Sequence, residues 1–310
     1  MINIFLISLG HLPLNASSLA EPPAVSRVLS TDAMFVEVFG LMVIVHLMTR
    51  KRTVPDLRER VPGLRLARAE MLVVIGYGVL AMFGGFVLGR SMGWHAFSFH
   101  LDGMVIDTAQ PVTVPEALSW AGYNLVIFAI VPLVAFRWRY SSEQLGLRSS
   151  DRRGDLVLVI VILVIESAVQ LSVAQAPTVF SLAPRQILIG APLTFVICFA
   201  GTVLPTMIFI YCILVPRYLR LTGSVTTTVI LGGVTYAMLH FFDGWTNLAS
   251  PSDTVISLAY LLLFYTAPGM FKTFITIRTA NAWTHVWAYH AIAPHTLLDT
   301  PMFVRIFGIR

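Results

Sequence analysis

The sequence predicts an all-α protein that crosses a lipid bilayer several times as a helical bundle. Its 310 residues are 56% hydrophobic and only 12% charged, which is about half the charged fraction of soluble domains. The apolar residues form blocks of about 20, the length of helix that crosses ~30 Å of hydrocarbon. Lipid cannot satisfy the edges of an open sheet, and a barrel would show alternation instead of solid apolar runs.

We predict about eight spans in this polytopic bundle. They lie at residues 33–49, 69–89, 117–136, 155–174, 186–216, 224–241, 254–277 and 280–297. The fifth is too long for one straight crossing, and we expect Pro192 and Pro205 to kink it because each removes a helical hydrogen bond. The alternative is a span followed by a shallow helix.

The distribution of basic residues predicts the orientation of these spans. The loops 50–68 and 137–153, with Arg217, Arg220, Lys272 and Arg278, hold 16 of the 21 Lys and Arg residues on one side. Because basic loops face the cytoplasm, we expect both termini outside, in a bacterial inner membrane. This placement also accounts for the net charge of +5 without a nucleic-acid partner.

Two segments outside the spans give weaker signals. Residues 1–10 are apolar but too short to span, so we expect an interfacial segment, with a signal peptide cleaved near Ala20 as the alternative. The loop 90–116 carries an aromatic-rich stretch from Trp94 to His100. We expect this stretch on the membrane surface.

Several kinds of chemistry leave no motif in the sequence. Cys198 and Cys212 lie in apolar runs and are expected to be small core residues. The chain has no HExxH helix, no nucleophilic GxSG and no Walker loop. We therefore expect neither a cofactor nor a bound metal ion.

Two histidines in predicted spans are the strongest functional signal. His240 closes the run Tyr236-Ala-Met-Leu-His240, and His290 lies in the last span. An ionisable side chain in a membrane is costly, so it predicts a function. For His240 the alternative is a neutral imidazole bonded to a backbone carbonyl near the interface.

Three blocks resemble the CPBP family, the CAAX proteases and bacteriocin-processing enzymes. They are Tyr140-Ser-Ser-Glu-Gln-Leu-Gly-Leu-Arg148, Leu204-Pro-Thr-Met-Ile-Phe-Ile210, and Tyr236 to His240 followed by His290. The resemblance covers residues 137–298 and implies a CPBP-like membrane core over 137–310. Residues 1–136 form an N-terminal region with about three spans and no motif of this kind.

The chain departs from the family where the acids belong. The family carries EExxxR, FxxxH and then HxxxN or HxxxD; here Pro205 and Thr206 stand at the glutamates and Ile210 at the arginine. Tyr236 and His240 fit FxxxH, and His290 fits the last histidine, although Pro294 replaces its partner. A shifted reading, His295-xxx-Asp299, also fits the HxxxD spacing.

The resemblance implies two alternatives for function. The first is a pseudoprotease that binds or scaffolds a membrane protein or peptide, within membrane lipid, through a polar intramembrane cavity. The second is an active intramembrane endopeptidase that processes a membrane or leader peptide with a rearranged acid. The candidate catalytic residues are His240, His290 and, as a replacement acid, Glu166, whose alternative is a structural carboxyl. The candidate cavity residues are Tyr236, Asp243, His285 and Phe209.

Overall fold

The computed structural model describes residues 24–105, 110–174, 179–244 and 246–310. These residues form helices joined by loops and contain no β-strand, which confirms the predicted all-α class. Residues 1–10, and with them the expected interfacial segment and the alternative cleavage near Ala20, lie outside the described residues.

Besides a single 3₁₀ turn at Leu57–Arg60, we number eleven helical segments of the described chain in order. They are α1 (Ala24–Thr49), α2 (Leu64–Ser91), α3 (Leu101–Val105), α4 (Val114–Arg137), α5 (Arg152–Val169, continued as wide π-helical turns over Gln170–Ala174), α6 (Pro184–Thr222), α7 (Val225–Met238), α8 (Pro251–Thr279), α9 (Ala282–His285, continued as π-helical turns over Val286–His290), α10 (Ala293–Leu298) and α11 (Thr300–Ile306).

Among the described residues, five helices are long and apolar enough to cross a membrane, namely α2, α4, α5, α6 and α8. The protein is therefore built as an integral membrane protein. The apolar part of α1 and the 14-residue α7 are shorter, and α7 covers only ~21 Å at 1.5 Å per residue. The predicted last span, 280–297, is divided between α9 and α10, so the count of about eight spans stays a prediction.

Helix α6 lies at the centre of the bundle. Its residues 207–214 are all at most 3% exposed, whereas α2 exposes Val73 at 70% and Leu80 at 72% on its outer face. Apolar side chains on the outside and a continuous core inside are expected for helices that face lipid. The CPBP-like block that begins at Leu204 thus lies in the core.

The prolines of α6 change its hydrogen bonding, as expected from the sequence. Pro205 has no N–H to donate to the Gly201 carbonyl four residues earlier, and the helix widens into π-helical turns over Phe199–Val203. The Gly201 carbonyl accepts a hydrogen bond from the side-chain amide of Asn124 on α4, at 2.9 Å. The proline therefore creates an acceptor that a neighbouring helix satisfies.

A buried ion pair joins α6 to α2. The Arg217 guanidinium donates to Glu70 Oε2 at 2.8 and 3.0 Å, and the Tyr140 hydroxyl donates to the same oxygen at 2.8 Å. Burial, with the Glu70 carboxylate beside it, raises the pKa of Tyr140 to about 12, so the phenol remains a donor. Arg217 and Lys272, which were expected on the same side as the basic loops, are each only 1% exposed. The orientation of the spans in the membrane stays a prediction.

Replacing Glu70 by Gln should destabilise the fold strongly. The substitution leaves the buried Arg217 cation without its counter-charge, which costs about 3–5 kcal/mol in such pairs. The measurement is thermal unfolding of the purified protein in detergent.

The matched control is Glu143→Gln. Glu143 pairs with Arg148 at 2.9 Å, but these side chains are 63% and 69% exposed, so the loss should be below about 1 kcal/mol. Equal destabilisation by the two substitutions would contradict a structural role for the buried pair.

Candidate functional site

Four histidines from separate segments meet inside the bundle and form what we call the histidine cluster. His100 precedes α3, His240 follows α7, His290 ends α9 and His295 lies in α10. The ring centroid of His100 lies 4.4 Å from that of His240 and 4.5 Å from that of His295. The rings of His290 and His295 are 4.9 Å apart. All four side chains are buried.

His100 reaches the cluster because the loop before it enters the bundle. Residues 95–101 are all buried, so the expectation that the stretch from Trp94 to His100 lies on the membrane surface is wrong. Irregular backbone is tolerated at such depth only when other groups of the protein satisfy it. We call residues 94–105 the re-entrant loop.

The backbone of the re-entrant loop is satisfied by α4 and α6. The Ser98 carbonyl accepts from Trp120 Nε1 at 2.7 Å and from Asn124 Nδ2 at 3.0 Å. The Phe99 carbonyl accepts from the Thr202 hydroxyl at 2.7 Å. The loop is therefore held by specific partners on both helices.

Glu116 holds the beginning of the re-entrant loop. Its Oε1 accepts from the backbone N–H of His95 at 2.8 Å and lies 2.7 Å from His95 Nδ1. Glu116 is also the N3 residue of a capping box with Thr113 at the start of α4. The Glu116 carboxylate thus caps the first turn of α4 and also holds the loop.

Asp243 holds the far end of the loop, and its backbone N–H donates to the His240 carbonyl at 3.0 Å, but its carboxylate makes no hydrogen bond to the His240 ring. Its carboxylate accepts from the Tyr265 hydroxyl at 2.6 Å and from the Ser98 hydroxyl. His240 Nδ1 lies 2.8 Å from the Tyr236 carbonyl. This is the backbone bond that the sequence analysis gave as the alternative for His240, but its Nε2 has no hydrogen-bond partner.

Tyr236 connects the cluster to a buried cation. Its hydroxyl lies 3.0 Å from His100 Nε2, and Lys272 Nζ lies 3.7 Å from the centroid of its ring. A cation over an aromatic face is attracted by the ring quadrupole. Of the candidate cavity residues, Tyr236 therefore belongs to the cluster.

His285 and Phe209 lie in the core outside the cluster. The His285 ring packs at 4.2 Å from Tyr211, and its Nδ1 lies 3.3 Å from the Thr276 hydroxyl. Phe209 packs edge to face against Phe128 at 5.5 Å. It also fills the space beside Gly78, where a Cβ would come within 2.6 Å of its ring.

Glu166 is buried but has no bond to a histidine among the described residues. Its Oε1 accepts from Gln170 Nε2 at 2.9 Å, and its Oε2 has no partner. The charged groups that act on it are Glu37 and Lys272. Within the described chain, no carboxylate oxygen lies within 4.0 Å of a ring nitrogen of His240 or His290.

Two carboxylates instead contact the other histidines of the cluster. Asp299 Oδ2 lies 3.0 Å from His295 Nδ1, and Asp102 Oδ1 lies 3.9 Å from His100 Nδ1. The shifted HxxxD reading pointed to His295 and Asp299. His100 and Asp102 had no such signal, because their approach depends on the path of the re-entrant loop.

The cluster has unused ligand atoms. Both ring nitrogens of His290, Nε2 of His240 and Nε2 of His295 have no hydrogen-bond partner. Neutral imidazole nitrogens are ligands for transition metals and also accept protons. His100, His290 and His295 each offer one nitrogen within 4.8 Å of the others, as do ligand atoms of Cys198, His295 and Asp299.

No family model, no curated protein and no solved structure matches the chain.

Replacing Gly103 by Ala should loosen the re-entrant loop. A Cβ at this position would lie 2.5 Å from Asp243 Oδ2, so either the loop or the carboxylate must move. We expect faster backbone hydrogen exchange over residues 94–105, measured by mass spectrometry.

Gly122→Ala is the matched control, because a Cβ on Gly122 meets nothing within 4 Å. It should leave exchange in the loop unchanged. Unchanged exchange in Gly103→Ala as well would contradict the contact between Gly103 and Asp243.

Proposed function

We propose that this integral membrane protein carries a CPBP-like core over residues 137–310 that binds a membrane partner and does not cleave peptides. The proposal includes the topology expected from the sequence, with about eight spans and both termini outside a bacterial inner membrane. Each of its two parts, the lost peptidase chemistry and the bound partner, has its own support.

The absence of peptidase chemistry rests on the residues that occupy the two positions where the CPBP family has glutamates. Pro205 and Thr206 are both buried in α6, and the Thr206 hydroxyl donates to the Thr202 carbonyl at 2.6 Å. A general base must lie within hydrogen-bond reach of the water it activates. Neither residue supplies one, and His240 and His290 have no carboxylate nearby among the described residues.

The re-entrant loop also supports a non-catalytic role. It occupies the space beside the cluster, with Phe99 1% and Leu101 2% exposed. A peptide that reached His290 would have to displace this loop and its bonds to α4 and α6. A partner that contacted Tyr236, Asp243, His285 or Phe209 would likewise have to displace parts of the protein, because all four residues are buried.

The partner surface that we propose lies between α1 and α5. Glu37 Oε1 and Glu166 Oε2 are buried oxygens without a hydrogen-bond partner. A carboxyl oxygen without a donor is costly in a membrane. Glu37 is half-buried, so a partner helix that packs against α1 and brings a hydroxyl, amide or ammonium group to Glu37 Oε1 would offset this cost, whereas Glu166 beside it is fully buried.

Substituting Glu37 by Leu should weaken the complex. An interhelical hydrogen bond contributes about 1–2 kcal/mol in model peptides, which corresponds to roughly 5–30-fold in affinity. The measurement is the amount of partner that co-purifies per chain in mild detergent, and then the dissociation constant of the identified partner.

The exposed substitution Glu143→Leu is the control and should leave the complex unchanged. A stoichiometric partner retained equally by both variants would contradict the proposed surface. A protein that purifies from its native membrane without any partner would contradict the binding function itself.

A second function has one observation in its favour. Asp299 lies 3.0 Å from His295 Nδ1, so this pair could act as the rearranged acid and base of an endopeptidase. Purified protein incubated with prenylated and leader peptides separates the alternatives, and the main proposal predicts no cleavage. Cleavage that is lost in Asp299→Ala and retained in His285→Ala would establish the enzyme and contradict the pseudoprotease.

A further inference from the structure

Three histidines of the cluster offer convergent ligand atoms. His100, His290 and His295 each place one ring nitrogen within 4.8 Å of the other two. They come from the re-entrant loop, from α9 and from α10, so only the folded chain brings them together. Three imidazoles with one open position are the protein ligands of many catalytic and transport zinc sites.

A second, independent observation points to a missing ligand. His290 is 0% exposed, and neither of its ring nitrogens has a hydrogen-bond partner; the same is true of His295 Nε2. Burying such groups without a partner is costly, because each has lost its hydrogen bond to water. Coordination of a metal ion would use these lone pairs and offset that cost.

The surroundings of these histidines suit coordination. Asp299 Oδ2 lies 3.0 Å from His295 Nδ1, which leaves Nε2 of that ring free for a metal. Metal-bound histidines commonly donate their other N–H to a carboxylate, which fixes the ring and its tautomer. His100 Nε2 lies 3.0 Å from the Tyr236 hydroxyl, which fixes that ring and leaves Nδ1, 3.9 Å from Asp102 Oδ1, as the His100 nitrogen for the metal.

The charges near the cluster are compatible with a divalent cation. Asp102 and Asp299 together can oppose a charge of about +2, which a low-dielectric interior requires. Lys272 is the opposing cation, and its charge acts on all three histidines as well. Its Nζ lies over the Tyr236 ring and is attracted to Glu166, and the two carboxylates near the histidines oppose its effect on a bound cation.

We propose that His100, His290 and His295 bind one divalent transition-metal ion of the zinc class. Imidazole nitrogen suits zinc and its neighbours, whereas magnesium and calcium prefer oxygen ligands. Zn–N bonds of about 2.0–2.1 Å draw the three rings slightly together on binding. The site lies apart from Glu37 and Glu166, so it does not depend on the proposed partner.

A competing set of ligands shares one histidine with this site. Cys198, His295 and Asp299 also converge, with Cys198 Sγ 3.8 Å from Asp299 Oδ2. A metal held there would leave both nitrogens of His290 without a partner. We therefore assign the ion to the three histidines and make the cysteine an arm of the test.

The experiment is metal titration of the purified full chain after removal of metals with a chelator. We expect one Zn²⁺ per chain, measured by elemental analysis after dialysis, and a rise in melting temperature with zinc concentration because the ion binds only the folded state. His100→Gln, His290→Gln and His295→Gln should each lose both effects. His285→Gln, which changes a buried histidine next to the cluster, should keep them.

Two further measurements keep the proposal falsifiable if a histidine variant does not fold. Asp299→Asn retains the shape of the side chain and should weaken zinc binding about 10–100-fold, as loss of a carboxylate partner does in other sites. Co²⁺ in place of Zn²⁺ should give a spectrum without a thiolate-to-metal band, and Cys198→Ser should bind as wild type does.

Three outcomes would overturn the assignment. The first is a wild-type chain that binds no zinc or cobalt and whose melting temperature does not respond to either ion. The second is loss of binding in Cys198→Ser together with its retention in His100→Gln. The third is equal loss in His285→Gln and His290→Gln, which would show a general effect on the core.

Discussion

The side-chain amide of Asn124 is the interaction on which the site depends. Its Nδ2 donates to the Ser98 carbonyl of the re-entrant loop and to the Gly201 carbonyl of α6, at 3.0 and 2.9 Å. The first acceptor lies in irregular backbone, and the second cannot accept from Pro205, which has no N–H. In a membrane interior such carbonyls require partners from the protein itself. One amide thus joins the N-terminal half to the central helix, and His100 enters the cluster as a consequence.

Pro205, which stands where the proposed CPBP-like core would have a glutamate, links the fold to the proposed function. A glutamate at position 205 would supply a base and keep the helix regular, whereas Pro205 removes the base and opens α6 to a hydrogen bond from α4. Thr206, beside it, bonds back to the Thr202 carbonyl. In the proposed CPBP-like core, a carboxylate at this position and the hydrogen bond from α4 that holds the loop therefore exclude each other. What remains in the interior is a set of imidazoles, whose free nitrogens suit a cation better than a peptide bond.

Apolar blocks predicted the helices well because their length and hydropathy are local properties. The span expected at 254–277 is α8, Pro251–Thr279, which extends further because Ser250 caps its first turn. The last expected span, 280–297, fails as a single helix because Pro294 has no N–H for the His290 carbonyl. His240 and His290 were found from spacing alone. His100 was not, because its position depends on a loop whose path is set by Asn124, Trp120 and Thr202 and leaves no periodic signal in the sequence.

The most direct test of this account is the zinc affinity of Asn124→Leu. Asn124 contacts none of the proposed ligands, and leucine has a similar volume but no donor. If the amide seats the loop, the substitution leaves the Ser98 carbonyl with only its bond from Trp120 Nε1 and leaves the Gly201 carbonyl without the amide. It should then displace His100 and weaken zinc binding at least about tenfold, the lower end of the effect of losing a residue that supports a ligand, while circular dichroism shows the same helix content. Wild-type zinc affinity in Asn124→Leu would show that the cluster forms without this bond, and the account would be wrong at its centre.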